Sequence, residues 1–464
     1  MSKKAQTGYA KRFLKTAGVY FLGNVLTKIT SFLLLPLYTS YISPDAYGVY
    51  GLSTTIMNTM VPVFFFTIWD GVFRFAFDAE DCDRQSVFAN GFIVMAAGAV
   101  LYTLVFLLFR SFVVFEHSAL ILCYSLSMAL QYFYTMLARG THNNTLFSVS
   151  GCIGSIFSLG LNVVLILRFH MGVESLYISY IVGVILQIIM IEAKVRFLSH
   201  FSLKQGDIKL TIVMLRFSLP IAISSASNWL LNGLTQVAIT SRLGAYSNGL
   251  YTVAMKFSSL MILVVSVFQF AWYELAYDLA NKENRKAYYR RSISIILKLS
   301  FAGLSIVLLA IKLVFPFFIN EQYSQSLQIV PLLLAGTTIN AYAGFLGTLF
   351  LAEKRSLSLS ITALVAGAVN MVGLLIFMPA GGLIGATLSL CLAFITYAGM
   401  RLIFLYRKHG IAPEAESYFG ILILLGSGGI FYLCSSSWIT VFGLIILVLL
   451  NWIFLKKDIY SFMK

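Results

Sequence analysis

Runs of twenty or more apolar residues, parted by short polar breaks, recur along the whole 464-residue chain. About 20 such residues cross a bilayer core as a helix. A membrane β-barrel would instead show strands of about ten residues with alternating polarity, and these runs are longer and do not alternate. The pattern predicts an all-α polytopic membrane protein of about 14 transmembrane helices. The spans fall at 17–42, 48–77, 87–109, 118–138, 146–167, 173–193, 217–241, 247–278, 292–311, 325–352, 357–378, 381–400, 416–434 and 437–455. The first run follows a basic N-terminus, as in a signal peptide. Its length and lack of a small-residue cleavage site make it a retained first span.

Composition removes the soluble alternatives. The chain is 59% hydrophobic and 11% charged, with a mean hydropathy of +0.87. Soluble domains carry about 25% charged residues, so this chain lacks the polar surface to clothe several soluble cores. The formal net charge of +15 would suggest nucleic acid as a partner in a soluble protein. Here the loops account for it. Of 33 Lys and Arg, 25 fall in the two tails and the even-numbered connections. Four (Arg110, Arg168, Arg242, Lys312) fall on the opposite side, and four lie within spans. That asymmetry puts both termini in the cytoplasm of a multi-pass plasma (inner) membrane protein, and no nucleic acid is implied. The five cysteines form no CxxC pair and the five histidines are scattered, so neither a disulfide framework nor a metal site is expected.

The chain repeats itself. SPDAYGVYGLS at the first outer connection is matched by LGAYSNGLYTVA some 200 residues later. The spans that follow end in FRFAFDAED and YELAYDLAN. Gly48-Val49-Tyr50 corresponds to Gly249-Leu250-Tyr251, and Phe77-Asp78 to Tyr277-Asp278, with spacings that differ by one residue. Both copies start on the same side, so the repeats are parallel. The expected organisation is a six-helix lobe (1–197), a cytoplasmic linker (198–211), a second six-helix lobe (212–407), and helices 13 and 14 with a tail (408–464).

An ionisable group at the bilayer centre costs roughly 2.5–3.5 kcal/mol on insertion scales and should face a cavity or a partner. Lys28 shares a helical face with Asn24, Thr27 and Ser31. Span 2 carries Thr67, Asp70, Arg74 and Asp78, and Asp70 and Asp78 each sit one turn from Arg74. Span 7 carries Ser225, Asn228, Asn232, Thr235, Gln236 and Thr240. Span 8 carries Thr252, Lys256, Ser259, Ser266, Gln269 and Tyr273, with Glu274 beside its end. These stripes occupy equivalent places in the two repeats and would line a central cavity between the lobes. The plainer alternative is that Ser, Thr and Asn join helices to one another. Arg74 near the cytoplasmic end, Lys28 near the midplane and Lys256 in the outer third would form a ladder of cations suited to an anionic substrate. Lys298 lies two turns into span 9, can snorkel to the interface, and is left out of that ladder.

The stretch YFLGNVLTKITSFLLLPLYTSYISPDAYGVYGL (Tyr20–Leu52) resembles the opening of the Wzx-type oligosaccharide flippases of the polysaccharide transporter family. That family shares a superfamily with multidrug-and-toxin exporters and the lipid II flippase. The resemblance implies two six-helix lobes around a central cavity, alternating access, and a polyprenyl-pyrophosphate-linked oligosaccharide moved to the outer leaflet. Many members have twelve spans, so helices 13 and 14 are a departure, as in the lipid II flippase; a groove for the lipid tail is one role for them. Cavity cations would hold the pyrophosphate, and membrane lipids and other glycan-assembly proteins are the expected partners. No cofactor or metal is implied. A sodium or proton coupling ion is left open, with Asp70 and Glu274 as the acids that could serve it. A multidrug exporter of the same fold would want an acidic cavity for organic cations. A membrane polymerase or ligase would need a catalytic constellation on the outer face, where the connections are short and hold no Ser-His-Asp order or HExxH.

Overall fold

The computed structural model describes residues 32–77, 81–110, 116–279, 285–352, 356–434 and 436–462. All regular structure among them is helical. In hydrocarbon each backbone N–H and C=O must be satisfied within its own segment, which a helix achieves residue by residue. Nine of the described helices are long and apolar enough to cross a membrane, or ten when one bent pair is taken as a span. Most of the span expected at 17–42 lies outside the described residues.

The helices are α1 (Leu35–Tyr41), α2 (Pro44–Phe64), α3 (Ile68–Phe77), α4 (Asp81–Arg110), α5 (Ser118–Gly140), α6 (Asn144–Leu167), α7 (Glu174–Val195) and the short α8 (Phe197–His200). A long helical stretch follows, parted at Gly244 (φ 85°, ψ 171°) into α9 (208–243) and α10 (245–279). Then come α11 (Arg285–Phe318) and α12 (Val330–Ala352). Gly382 (φ 51°) divides the next stretch into α13 (356–381) and α14 (383–409). The chain ends in α15 (Phe419–Leu433) and α16 (Ser437–Phe462). The Gly244 break falls at an expected connection, whereas Gly382 lies two residues into the span expected at 381–400; glycine enters both backbone regions without a Cβ penalty.

Two compact units result. Among the described residues, the first holds those within 32–37 and 52–229, the second those within 38–51 and 230–462. This differs from the sequence-based division in two ways. The stretch around the first connection, Tyr38–Gly51, packs with the second unit. Residues 198–211, expected to be a linker, are fastened to the first. Asn90 on α4 accepts from the Asp207 N–H at 2.8 Å and the Thr211 hydroxyl at 2.9 Å, and donates to Gln205 O at 3.1 Å.

Within the first unit, α6 and α7 cross at glycines. A Cβ on Gly154 would lie 2.8 Å from Gly183 O, and one on Gly183 would lie 2.7 Å from Gly154 O. Close approach through small residues is the usual packing device in lipid, where no hydrophobic force drives helices together. Asn162 seals the same pair by donating to Ser179 Oγ at 2.9 Å.

Within the second unit, α15 and α16 are anchored to α11. Asn451 donates to Ser305 Oγ at 3.1 Å. Lys312 donates to the carbonyls of Ile430 (2.8 Å), Phe431 (2.5 Å) and Cys434 (2.5 Å) at the end of α15. The last carbonyls of a helix have no intrahelical partner, so this lysine caps α15 rather than serving as a loose outer-face charge. Lys298 is buried, not merely snorkelled, and reaches Glu416 at 3.8 Å.

Candidate functional site

Span 2, expected as one helix over 48–77, is broken. α2 and α3 meet at a 55° bend, and Phe66 (φ 52°) and Thr67 (φ 45°) both occupy the left-handed region. Thr67 N–H donates to Pro62 O and Phe66 N–H to Val63 O, the pair of bonds that closes a helix C-terminus. Glycine usually takes that position, and here two side-chain-bearing residues do. The bend is held from outside as well: the buried Thr67 hydroxyl donates to Ser218 O at 3.0 Å. Irregular backbone at membrane depth survives only where protein or water satisfies it. The break also accounts for the repeat's uneven spacing. Its counterpart in the second repeat, α10, continues from 245 to 279 with one residue fewer between matched positions.

The break starts a new helix just before the acid. Asp70 lies in the first turn of α3 and Arg74 in its last. Asp70 feels the charge of Arg139, in the last turn of α5. The Arg139 guanidinium sits 4.4 Å from the centroid of Phe73. Trp69 stacks on Tyr132 at 4.8 Å beside it. Sequence spacing alone links Asp70 to Arg74. It passes over Arg139, which reads as one more cytoplasmic-side charge at the end of span 4.

In the second unit, two residues of the span-7 stripe turn inward. Thr235 is fully buried, and its hydroxyl accepts from Asn370 Nδ2 at 3.0 Å. Gln236 is also buried and donates to Thr252 Oγ1 at 3.5 Å. These two follow the plainer alternative and join helices. Lys256 differs. It is half-buried and lies twelve residues past Gly244, about 18 Å along α10 at 1.5 Å per residue. Among the described residues no carboxylate lies within ion-pair distance of its ammonium. Asn228 and Asn232 fall on α9, and Gln269 and Glu274 on α10, but their side chains lie outside the described residues, as do Lys28 and Asn24 entirely.

The matched glycines of the repeat touch. A Cβ on Gly48 would fall 2.7 Å from Gly249 N and 2.9 Å from Ala245 C. One on Gly249 would fall 2.7 Å from Pro44 C and 3.0 Å from Pro44 Cα. Ala245 and Pro44 each precede the matched glycine by four residues, so the contact is reciprocal. Asn248 Nδ2 donates to Gly48 O at 2.7 Å. From the connection after α11, Tyr323 donates to Ile42 O at 2.9 Å and Gln322 to Thr39 O at 2.6 Å. Burial raises the Tyr323 phenol above its ordinary value, which keeps it a donor. The N-terminal ends of α2 and α10 are thus clasped backbone to backbone.

The profile described as "Polysaccharide biosynthesis protein" matches residues 13–273. This bears out the resemblance drawn from Tyr20–Leu52. Curated proteins give no match. Among solved structures, the lipid II flippase MurJ in an inward closed conformation aligns with a TM-score of 0.73 at 14% identity, covering 97% of this chain and all of that one. An inward-facing multidrug resistance MATE family transporter of the MOP superfamily aligns with a TM-score of 0.63 at 15% identity, covering 88% and 96%. The MATE multidrug transporter DinF-BH aligns with a TM-score of 0.56 at 16% identity, covering 86% and 95%. At these identities the likeness is one of fold.

Proposed function

The chain belongs to the polysaccharide biosynthesis protein family, and from that premise we propose that it is a flippase for a polyprenyl-pyrophosphate-linked oligosaccharide. The headgroup crosses from the cytoplasmic to the outer leaflet by alternating access while the prenyl tail stays in lipid. The observation that carries this reading is Lys256: a cation deep along an apolar helix with no acidic partner among the described residues. A buried ammonium demands an anion or water, and a pyrophosphate supplies strong charge-assisted acceptors. Arg74 and Lys28 are its proposed companions in the ladder, and Asn24, Asn228, Asn232 and Gln269 suit sugar hydroxyls. Gln236, buried and bonded to Thr252, is proposed to line the cavity wall beside them. Asp70 and Glu274 are proposed for coupling to an ion. The protein acts as a transporter rather than an enzyme in this reading, with membrane lipids and other glycan-assembly proteins as its surroundings.

The test is transport by the purified protein in liposomes. Translocation of a polyprenyl-pyrophosphate oligosaccharide, and not of the same glycan lacking pyrophosphate, is the expected result. Uptake of cationic dyes with no lipid-linked sugar movement would favour the multidrug reading.

A further inference from the structure

The first unit holds polar groups at membrane depth that its helix contacts do not use up. Gln131 on α5 donates through Nε2 to Gln187 Oε1 on α7 at 2.7 Å. The Tyr180 hydroxyl donates to Gln131 Oε1 at 2.8 Å. Both carboxamide oxygens are thereby engaged. One N–H of Gln131 and both N–H groups of Gln187 make no hydrogen bond among the described residues. Gln187 is nevertheless only 4% exposed.

The space beside that amide is internal. A Cβ on Gly151 of α6 would meet Gln187 Nε2 at 3.5 Å and no other described atom within 4 Å. Gly151 shares the face of α6 that carries Gly154 and Asn162 against α7, away from the exposed Ile153 and Ile156. Gln131, Gln187 and Gly151 lie nine, eight and seven residues from Gly140, Val195 and Asn144, at the ends of their helices. At 1.5 Å per residue they form one layer, about 10–14 Å in. The next residue of α5, Tyr132, is half-buried and stacks on Trp69 of α3 at 4.8 Å. The Tyr132 hydroxyl and the Trp69 indole N–H also make no hydrogen bond among the described residues. The charge of Asp70 reaches Tyr132. Toward Gly140, the Arg139 guanidinium lies 4.4 Å from the Phe73 centroid and 5.6 Å from that of Phe147 on α6. Helices α3, α5 and α6 thus converge below the layer.

Unused donors inside a membrane protein are costly until a ligand or water takes them. The amide N–H groups need acceptor oxygens. The Tyr132 hydroxyl and the Asp70 carboxylate can receive donors. The Tyr132–Trp69 pair adds flat apolar surface. A sugar ring answers all three, with hydroxyls that donate and accept and a face of C–H groups. An organic cation brings no acceptor for the amides, and Asp70 disfavours an anion. We propose that this layer binds a sugar ring of the glycan and so selects which glycan the protein takes. That the glycan is cargo rests on the flippase reading above.

The experiment measures binding, not transport. Full-length protein in nanodiscs is titrated with free glycan, released by mild acid from the lipid-linked pool of the source cells and fluorescently labelled. The dissociation constant is read by anisotropy. Gln131→Leu with Gln187→Leu removes both carboxamides together and should weaken binding about tenfold. Tyr132→Phe keeps the stack on Trp69, deletes one hydroxyl and should weaken it about threefold. Gly428→Ala, where a Cβ meets nothing within 4 Å, should bind as wild type does. Equal binding by wild type and both variants, or no binding by wild type, would overturn the proposal. Glycan binding that the variants lose, without translocation in liposomes, would end the flippase reading and keep the sugar site. Translocation with equal glycan binding would overturn the site and keep that reading.

Discussion

Gly249→Ala probes the clasp between α2 and α10 most sharply. The added methyl carbon would lie 2.7 Å from Pro44 C and 3.0 Å from Pro44 Cα. Carbon atoms rest at about 3.5–4.0 Å, so α2 and α10 must part by about 1 Å. Both contacts are backbone, and no side chain can swing away to relieve them. Overpacking of this kind costs about 1–3 kcal/mol, which shifts the balance between clasped and open forms about 5- to 150-fold. Thr252 reports the change, because it lies under the clasp against Gly51 and is buried. In a background without native cysteines, Thr252→Cys should label slowly with a membrane-impermeant thiol reagent and much faster once Gly249→Ala is added. Gly428→Ala is the control, since its Cβ would meet nothing within 4 Å. Equally slow labelling in Gly249→Ala and Gly428→Ala would refute the reasoning.

Other perturbations test separate parts of the molecule. Lys312→Met should leave the three carbonyls at the end of α15 without their cap and cost about 1–3 kcal/mol, read as a lower melting temperature and faster proteolysis between α15 and α16; unchanged melting would show that the cap is dispensable. Phe66→Gly should relieve a left-handed residue (φ 52°) and stabilise by about 1 kcal/mol, whereas Phe66→Ala should not; a destabilised Phe66→Gly would mean that the ring's packing outweighs the strain. Asp70→Asn should impair transport at normal membrane abundance if Asp70 takes part in coupling, and full transport by a well-expressed variant would end that idea.

The membrane class, the basic-face asymmetry and the repeat are legible in the sequence, because each is written in residue type along one dimension. That Gly48 corresponds to Gly249 can be read; that they touch cannot, since contact depends on how two helices cross. The break at Phe66 and Thr67 leaves no mark, because it sits in a run of phenylalanines with no glycine, and Pro62 four residues earlier is tolerated within α2. Charges mislead in a consistent way. Lys312 and Arg401 read as connection residues, yet Lys312 caps a helix. Arg401 is buried, donating to Tyr397 Oη at 2.5 Å and to Ala343 O. Loop counting sums charge by side and is blind to a long side chain folding back into the protein. Similarly, a polar stripe does not tell Gln236, turned inward onto Thr252, from Lys256, which meets no carboxylate among the described residues. Both satisfy the same periodicity.

The central claim is that membrane-embedded cations carry a pyrophosphate across. Its most direct measurement is the rate of lipid-linked oligosaccharide translocation per correctly inserted molecule for Lys256→Ala and Lys28→Ala, alongside Lys256→Arg. Losing one charge-assisted contact of about 1.5–3 kcal/mol predicts about a 10- to 150-fold drop for each alanine variant and partial retention for arginine. Wild-type rates in both alanine variants would contradict it.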